Sequence, residues 1–145
     1  MAAAAMRVTG DRALLRKMAR LKGSVRRKII RRPLSSALTP ISKAAKRGAP
    51  KDEGDLSKSI GKKVKLYRGG VWGGVGPRVG DKYTRETPDG RRKVPANYGL
   101  LVELGTRHSK PNPFLRRALD DKREEALRIL RAGTWKNLKA EGRKK

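Results

Sequence analysis

Leu14, Met18, Leu21, Val25 and Ile29 recur at intervals of four, three, four and four residues, which places them on one stripe of an α-helix. The pattern predicts a helix from Asp11, an N-cap just after Gly10, to Arg32. Proline lacks an amide hydrogen and its ring crowds the preceding turn, so Pro33 is expected to end or kink that helix. Leu34, Leu38, Ile41 and Ala45 continue the apolar spacing with Pro40 among them, predicting a broken helical hairpin or one kinked helix, closed by Gly48, Ala49 and Pro50.

The period then changes. After a short turn over Gly54 to Ile60, with Asp55 placed to cap it, Val64, Leu66, Val71 and Val75 alternate with polar or glycine positions around Gly69-Gly70. Residues 62–79 therefore read as two antiparallel strands. Residues 80–95 carry no apolar periodicity and are expected to form a mobile loop or hairpin tip. Tyr98, Leu100, Leu101, Val102 and Leu104 make the most apolar run of the chain, expected in the core and ended by Gly105. Asn112 and Pro113 then mark the N-cap and first position of a long helix to about Arg131. In that helix Leu115, Leu119, Ala126 and Leu130 should face inward and Glu124 should pair with Arg128, with Gly133 ending or loosening it. The predicted class is α+β: basic N-terminal helices, a small antiparallel sheet with a long hairpin loop, and a long C-terminal helix. Its expected organisation is a flexible N-terminus over 1–10, a basic helical region over 11–48, a core over 49–141 with the charged loop at 80–95, and a basic tail over 142–145.

Composition thins this picture. Leu, Ile, Val and Phe make up 29 of the 145 residues, little apolar material for one core. Partners are expected to complete the fold. The net charge of +26 makes isolated copies repel one another and calls for an anionic neighbour, whether nucleic acid, acidic protein or membrane surface. Ten of the basic residues lie between Asp11 and Arg32. Arg12, Arg16, Lys17, Arg20, Arg26, Arg27, Lys28 and Arg31 there, with Arg91, Arg92 and Lys93 in the charged loop, are the candidate phosphate-contacting residues. No zinc finger, basic zipper or aromatic pair on a sheet is present, so contact with phosphates without sequence preference is the expected mode.

Little in the chain points to catalysis. With no cysteine, thiolate zinc sites and cysteine nucleophiles are excluded, and a single histidine, His108, cannot build a multi-histidine metal site. The glycines from 69 to 76 lack the Gly-Lys-Ser/Thr ending of a phosphate-cradling loop. Asp52, Glu53 and Asp55 are the one acidic cluster before the last helix, and a small magnesium nuclease built on them is the weakest rival. No catalytic, cofactor or metal site is expected. Glu103, alone in an apolar run, should find an Arg or Lys partner, because an unpaired buried carboxylate is costly. Arg7, Asp11 and Arg12 interrupt the alanine-rich start before a signal peptide forms, and no segment approaches a membrane span, so a soluble protein is expected.

Three motifs in order carry a resemblance: Gly54-Asp55-Leu56-Ser57-Lys58-Ser59-Ile60, then Tyr98 through Glu103, Leu104, Gly105 and Thr106, then Pro111-Asn112-Pro113-Phe114-Leu115 through Leu119. Over roughly residues 40–130 the chain resembles the tail-component family of long-tailed phages, with its Y-A-x-x-V-E-F-G-T and P-x-P-F-L segments. Leu104 stands where that pattern has phenylalanine, and Arg117 where it has proline. The resemblance implies a non-enzymatic virion protein of the neck, assembled in the host cytoplasm. It would form a homo-oligomeric ring with adaptor or stopper, tail terminator or tail tube as neighbours, through which DNA passes. It also implies that Gly54, Leu56, Ser59, Ile60, Tyr98, Glu103, Gly105, Thr106, Pro113, Phe114 and Leu115 are structural or interface positions. The alternative supported by charge alone is a non-specific nucleic-acid-binding protein.

Overall fold

A computed structural model describes residues 12–51, 54–67, 70–143 of the chain. The expected Asp11 cap, Asp52, Glu53, Gly69, residues 1–10 and the last two of the basic tail lie outside the described residues. Five helices and two small hairpins follow in the order α1 (Arg12–Ala19), α2 (Gly23–Gly48), α3 (Asp55–Ser59), β1 (Ile60–Tyr67), β2 (Gly70–Pro77), a 3-10 turn (Asp81–Tyr83), β3 (Arg85–Glu86), β4 (Arg92–Lys93), α4 (Pro95–Leu104) and α5 (Phe114–Gly142). The class is α+β, as the patterning predicts.

α2 and α5 form the frame. They run antiparallel, since Asn137 meets Ile29, Gly133 meets Pro33 and Phe114 meets Gly48. On another side of α2 lies the β1–β2 hairpin, antiparallel and in register from Ile60 opposite Pro77 to Tyr67 opposite Gly70. Ala37, Leu38, Ile41 and Ala45 of α2, Ile60 and Val75 of the hairpin, and Leu115, Ala118, Ala126 and Leu130 of α5 make one continuous core. The inward positions expected for the last helix hold, with Leu119 half-buried against that core. On its outer side the ion pair is Lys122 with Glu125 at 3.1 Å, not the expected Glu124 with Arg128.

Neither proline ends α2. The chain breaks earlier, at residues 20–22, where Leu21 N–H closes a short turn onto Met18 C=O at 3.1 Å and Lys22 is extended before Gly23. Glycine is a poor helix residue, and the bend there still leaves Leu14 and Met18 buried, with the Lys17 ammonium 4.9 Å from the centre of the Trp135 ring on α5. Pro33 costs α2 one hydrogen bond, because Ile29 C=O would normally accept from residue 33. The Asn137 side-chain amide donates to that carbonyl at 2.9 Å, so α5 supplies what the proline removed. Ser36, whose carbonyl loses its partner to Pro40, is exposed to water.

The α2–α5 crossing also explains why α5 passes Gly133 and continues to Gly142. A Cβ at Gly133 would lie 2.9 Å from Pro33 Cβ, so the glycine is set by close approach of a rigid ring rather than by helix termination. Thr134 Oγ1, donating to Leu130 C=O at 2.7 Å, is satisfied within the helix. We expect Asn137→Ala to cost about 1–2 kcal/mol by leaving the Ile29 carbonyl without its donor. In a Pro33→Ala background, where residue 33 regains its N–H, the same change should cost distinctly less. Urea denaturation of the four proteins checks this, and an equal cost in both backgrounds would refute the link.

Candidate interaction surface

The three motif segments meet at the end of the frame where α2 stops and α5 starts. Gly54 is left-handed (φ 72°) and begins α3, so Asp55 is the first helical residue and makes no capping bond. Its side chain lies 3.7 Å from Arg85 of β3. Leu56, Ser59 and Ile60 are buried, and Ser59 Oγ donates to Leu56 C=O at 2.7 Å. A Cβ at Gly99 would stand 3.0 Å from Leu56 and 2.9 Å from Pro77, so α4 lies close over both α3 and the end of β2.

Glu103 is the centre of this junction. Its carboxylate, 7% exposed, accepts from the backbone N–H groups of Leu115 at 2.9 Å and Arg116 at 3.0 Å. These are amides of the first turn of α5, which have no partner within the helix and sit at its positive end. The expected Arg or Lys partner is therefore replaced by the N-terminus of a helix. Asn112 is not the side-chain cap. Its carbonyl accepts from Phe114 N–H and its own N–H donates to Val102 C=O, both at 2.8 Å, tying the connection to α4. Gly105, at φ 77° and ψ 174°, makes the sharp exit from α4 in a region closed to other residues, with Pro111 N 2.8 Å from where a Cβ would stand. Thr106 and Ser109 then bridge, with His108 exposed in the turn between them.

The apolar run of α4 is only partly core. Gly99 and Glu103 are buried, Tyr98, Leu100 and Val102 are half-buried, and Leu101 (52%) and Leu104 (67%) face outward. A cleft of about 430 Å³ beside them is lined by Pro77, Val79, Gly99, Leu100 and Leu115, and Val79 is itself exposed. A helix apolar on nearly all sides at the surface presents an unpartnered contact face.

The candidate phosphate residues do not form one site. Arg12, Arg16, Lys17 and Arg20 belong to α1 and its exit, Arg26, Arg27, Lys28 and Arg31 to α2, and Arg91, Arg92 and Lys93 to the β3–β4 hairpin, which folds the expected loop tip. Several already have anionic or aromatic partners: Arg92 meets Asp81 at 2.9 Å, Arg91 meets Asp89 at 3.6 Å, and Lys17 lies over Trp135. Only Lys28 and Arg31 of the set line the large cleft beside α2. Among the described residues no group of His, Asp and Glu is arranged to hold a metal, and no helix is long and apolar enough to cross a membrane.

A family model described as "Bacteriophage HK97-gp10, putative tail-component" covers residues 12–105, from α1 through the Gly105 exit of α4. No curated protein and no solved structure matches the chain. The match takes in the basic helices, the first motif and the second up to Gly105, and stops short of Thr106 and Pro111–Leu119, which the Glu103 carboxylate nevertheless ties to the matched part. The chain belongs to the HK97-gp10-like family of phage tail components.

Proposed function

We propose that the protein is a ring-forming subunit of the neck, joining the DNA-filled head to the tail and leaving an axial path for DNA. The observation that carries the reading is the outward face of α4, within the span matched by the family. Leu101 and Leu104 expose apolar surface there, while Glu103 on the same helix is buried against the first turn of α5. Such a face is held rigidly and gains by being covered, at about 25 cal/mol per Å² of apolar surface removed from water. Nothing in the reading needs catalysis, and the role is structural. Neighbouring copies supply one side of the contact, and adaptor, stopper, tail terminator or tail tube supply the axial ones.

The test is assembly measured by mass photometry and negative-stain imaging, with and without the portal, stopper and tail-terminator proteins of the same phage. Wild type should form rings alone or on a partner. Leu101→Asp with Leu104→Asp should lose them while circular dichroism is unchanged, because both positions are exposed. A strict monomer that binds none of these partners would overturn the proposal.

A further inference from the structure

One face of α2 carries no apolar residue along most of its length. Positions 28, 32, 35, 39, 42 and 46, stepping by four, three, four, three and four, are Lys, Arg, Ser, Thr, Ser and Lys, with Arg31 and Lys43 at their sides. Lys28, Arg32 and Lys46 of this stripe are exposed, whereas Ser35 and Thr39 are half-buried and Ser42 is buried. The stripe forms one wall of a trough whose other wall is β1 and the residue after β2.

The trough has two sections. The first, about 940 Å³, lies between Lys28, Arg31 and Arg32 on α2 and the end of α5. The second, about 310 Å³, is bordered by Lys43, Lys46 and Lys58. Lys62 and Arg78 line both sections and join them. Lys62 is fixed there by donating to Ser35 C=O at 2.9 Å and Thr39 Oγ1 at 2.7 Å. Arg78 lies across Gly61, where any side chain would collide with it, and donates to Lys62 C=O at 3.3 Å and Tyr83 Oη at 3.2 Å. Against these eight cations the lining contains a single acid, Glu141.

We infer that this trough binds the phosphodiester backbone of duplex DNA, without reading its sequence. The five α2 cations, from Lys28 to Lys46, are strung out over 18 helical steps, about 27 Å, rather than gathered around one point. That distribution fits a polyanion of repeated charge, since a strand of duplex presents one phosphate per about 3.4 Å of rise. A duplex carries its phosphates on a rigid frame, whereas an acidic peptide must be ordered on binding and would need anchoring pockets for its apolar residues. Tyr83 is the one aromatic of the trough and sits at its edge holding Arg78, so no stacking platform for bases is present there. The site differs from the one charge density alone selects, because Arg32, Lys43, Lys46, Lys58, Lys62 and Arg78 enter it while the α1 cations do not. The inference stands on this geometry and is independent of ring formation.

The experiment is duplex binding by fluorescence anisotropy over a series of salt concentrations, with the full chain. The trough variant is Lys28→Gln, Arg32→Gln, Lys43→Gln and Lys46→Gln, all exposed side chains. The control, Arg123→Gln, Arg128→Gln, Arg131→Gln and Lys136→Gln, removes the same charge from exposed positions on α5. Each lost phosphate contact lowers the slope of log affinity against log salt by about 0.9, so the trough variant should lose about 3 to 4 and the control well under 1. Circular dichroism establishes that both variants fold. Equal losses in the two variants, no duplex binding by wild type, or poly-glutamate binding through the trough in preference to duplex would each overturn the inference.

Discussion

Phe114→Ala is expected to destabilise the protein by about 3–5 kcal/mol, the usual cost of removing a buried aromatic ring from a core. Phe114 is the chain's one phenylalanine and is 1% exposed. It is the first residue of α5, and its Cβ would lie 3.5 Å from a Cβ at Gly48, the last residue of α2. The ring therefore closes the end of the frame at which α3 and α4 also gather. Small domains have total stabilities of only about 5–15 kcal/mol, and a core drawn from so few large side chains has little spare. Thermal unfolding should show a melting point lower by about 10–20 °C, and Phe114→Leu, which keeps much of the volume, should recover most of it. A loss under about 1 kcal/mol for the alanine variant would show that this junction is not a stability centre. The residue lies outside the segment matched by the family model, so the result also tells whether the fold needs α5 to be complete.

How much of this was legible in the sequence follows from where each signal originates. The stripe of Leu14, Met18, Ile29, Leu38, Ile41 and Ala45 is local, and so is the change of period at β1, and both appear in the fold. The fate of Pro33 is not local. Its helix continues because Asn137, 108 residues beyond Ile29, donates to the abandoned carbonyl, and no window along the chain contains both. Gly133 misleads for the same reason: it resembles a stop signal until Pro33 is found against it. In α4 periodicity has nothing to work on, since apolar residues occupy nearly every position from Tyr98 to Leu104. The sequence cannot then distinguish a helix sunk in a core from one that keeps Leu101 and Leu104 outside.

Charge was legible only as an amount. A net +26 predicts an anionic neighbour but assigns it to whichever segment is densest in Lys and Arg, here α1 and the start of α2. Folding redistributes that weight. Lys17 turns onto Trp135, Arg92 onto Asp81 and Arg85 toward Asp55, while Lys62 and Arg78, isolated in sequence from the basic helix, are brought beside it. The hairpin packed on α2 thus makes a two-walled trough from a polar stripe that would be an ordinary solvated face on a lone helix.

Glu103→Ala is expected to cost about 2–4 kcal/mol, because it leaves two helix N-terminal amides, Leu115 N–H and Arg116 N–H, without their acceptor in a largely buried position. Hydrogen bonds to a charged group are worth about 1.5–3 kcal/mol each, more than neutral ones, and the negative charge is also favoured at the positive end of α5. Glu103→Gln distinguishes this role from a mere filling of space. Glutamine keeps the shape and one carbonyl oxygen but brings an NH2 toward the other amide, so it should lose about half as much as alanine. Hydrogen exchange should show the amides of residues 115 and 116 opening faster in both variants, with the middle of α5 much less affected. A partner of the Arg or Lys kind would behave otherwise: neutralising that cation would reproduce the loss, and the two amides would keep their protection. Glu103 also holds α4 against α5, and α4 carries Leu101 and Leu104. In the proposed ring the alanine variant is therefore expected to weaken assembly at protein concentrations where it is still folded, whereas the two leucine substitutions should weaken assembly without loss of stability.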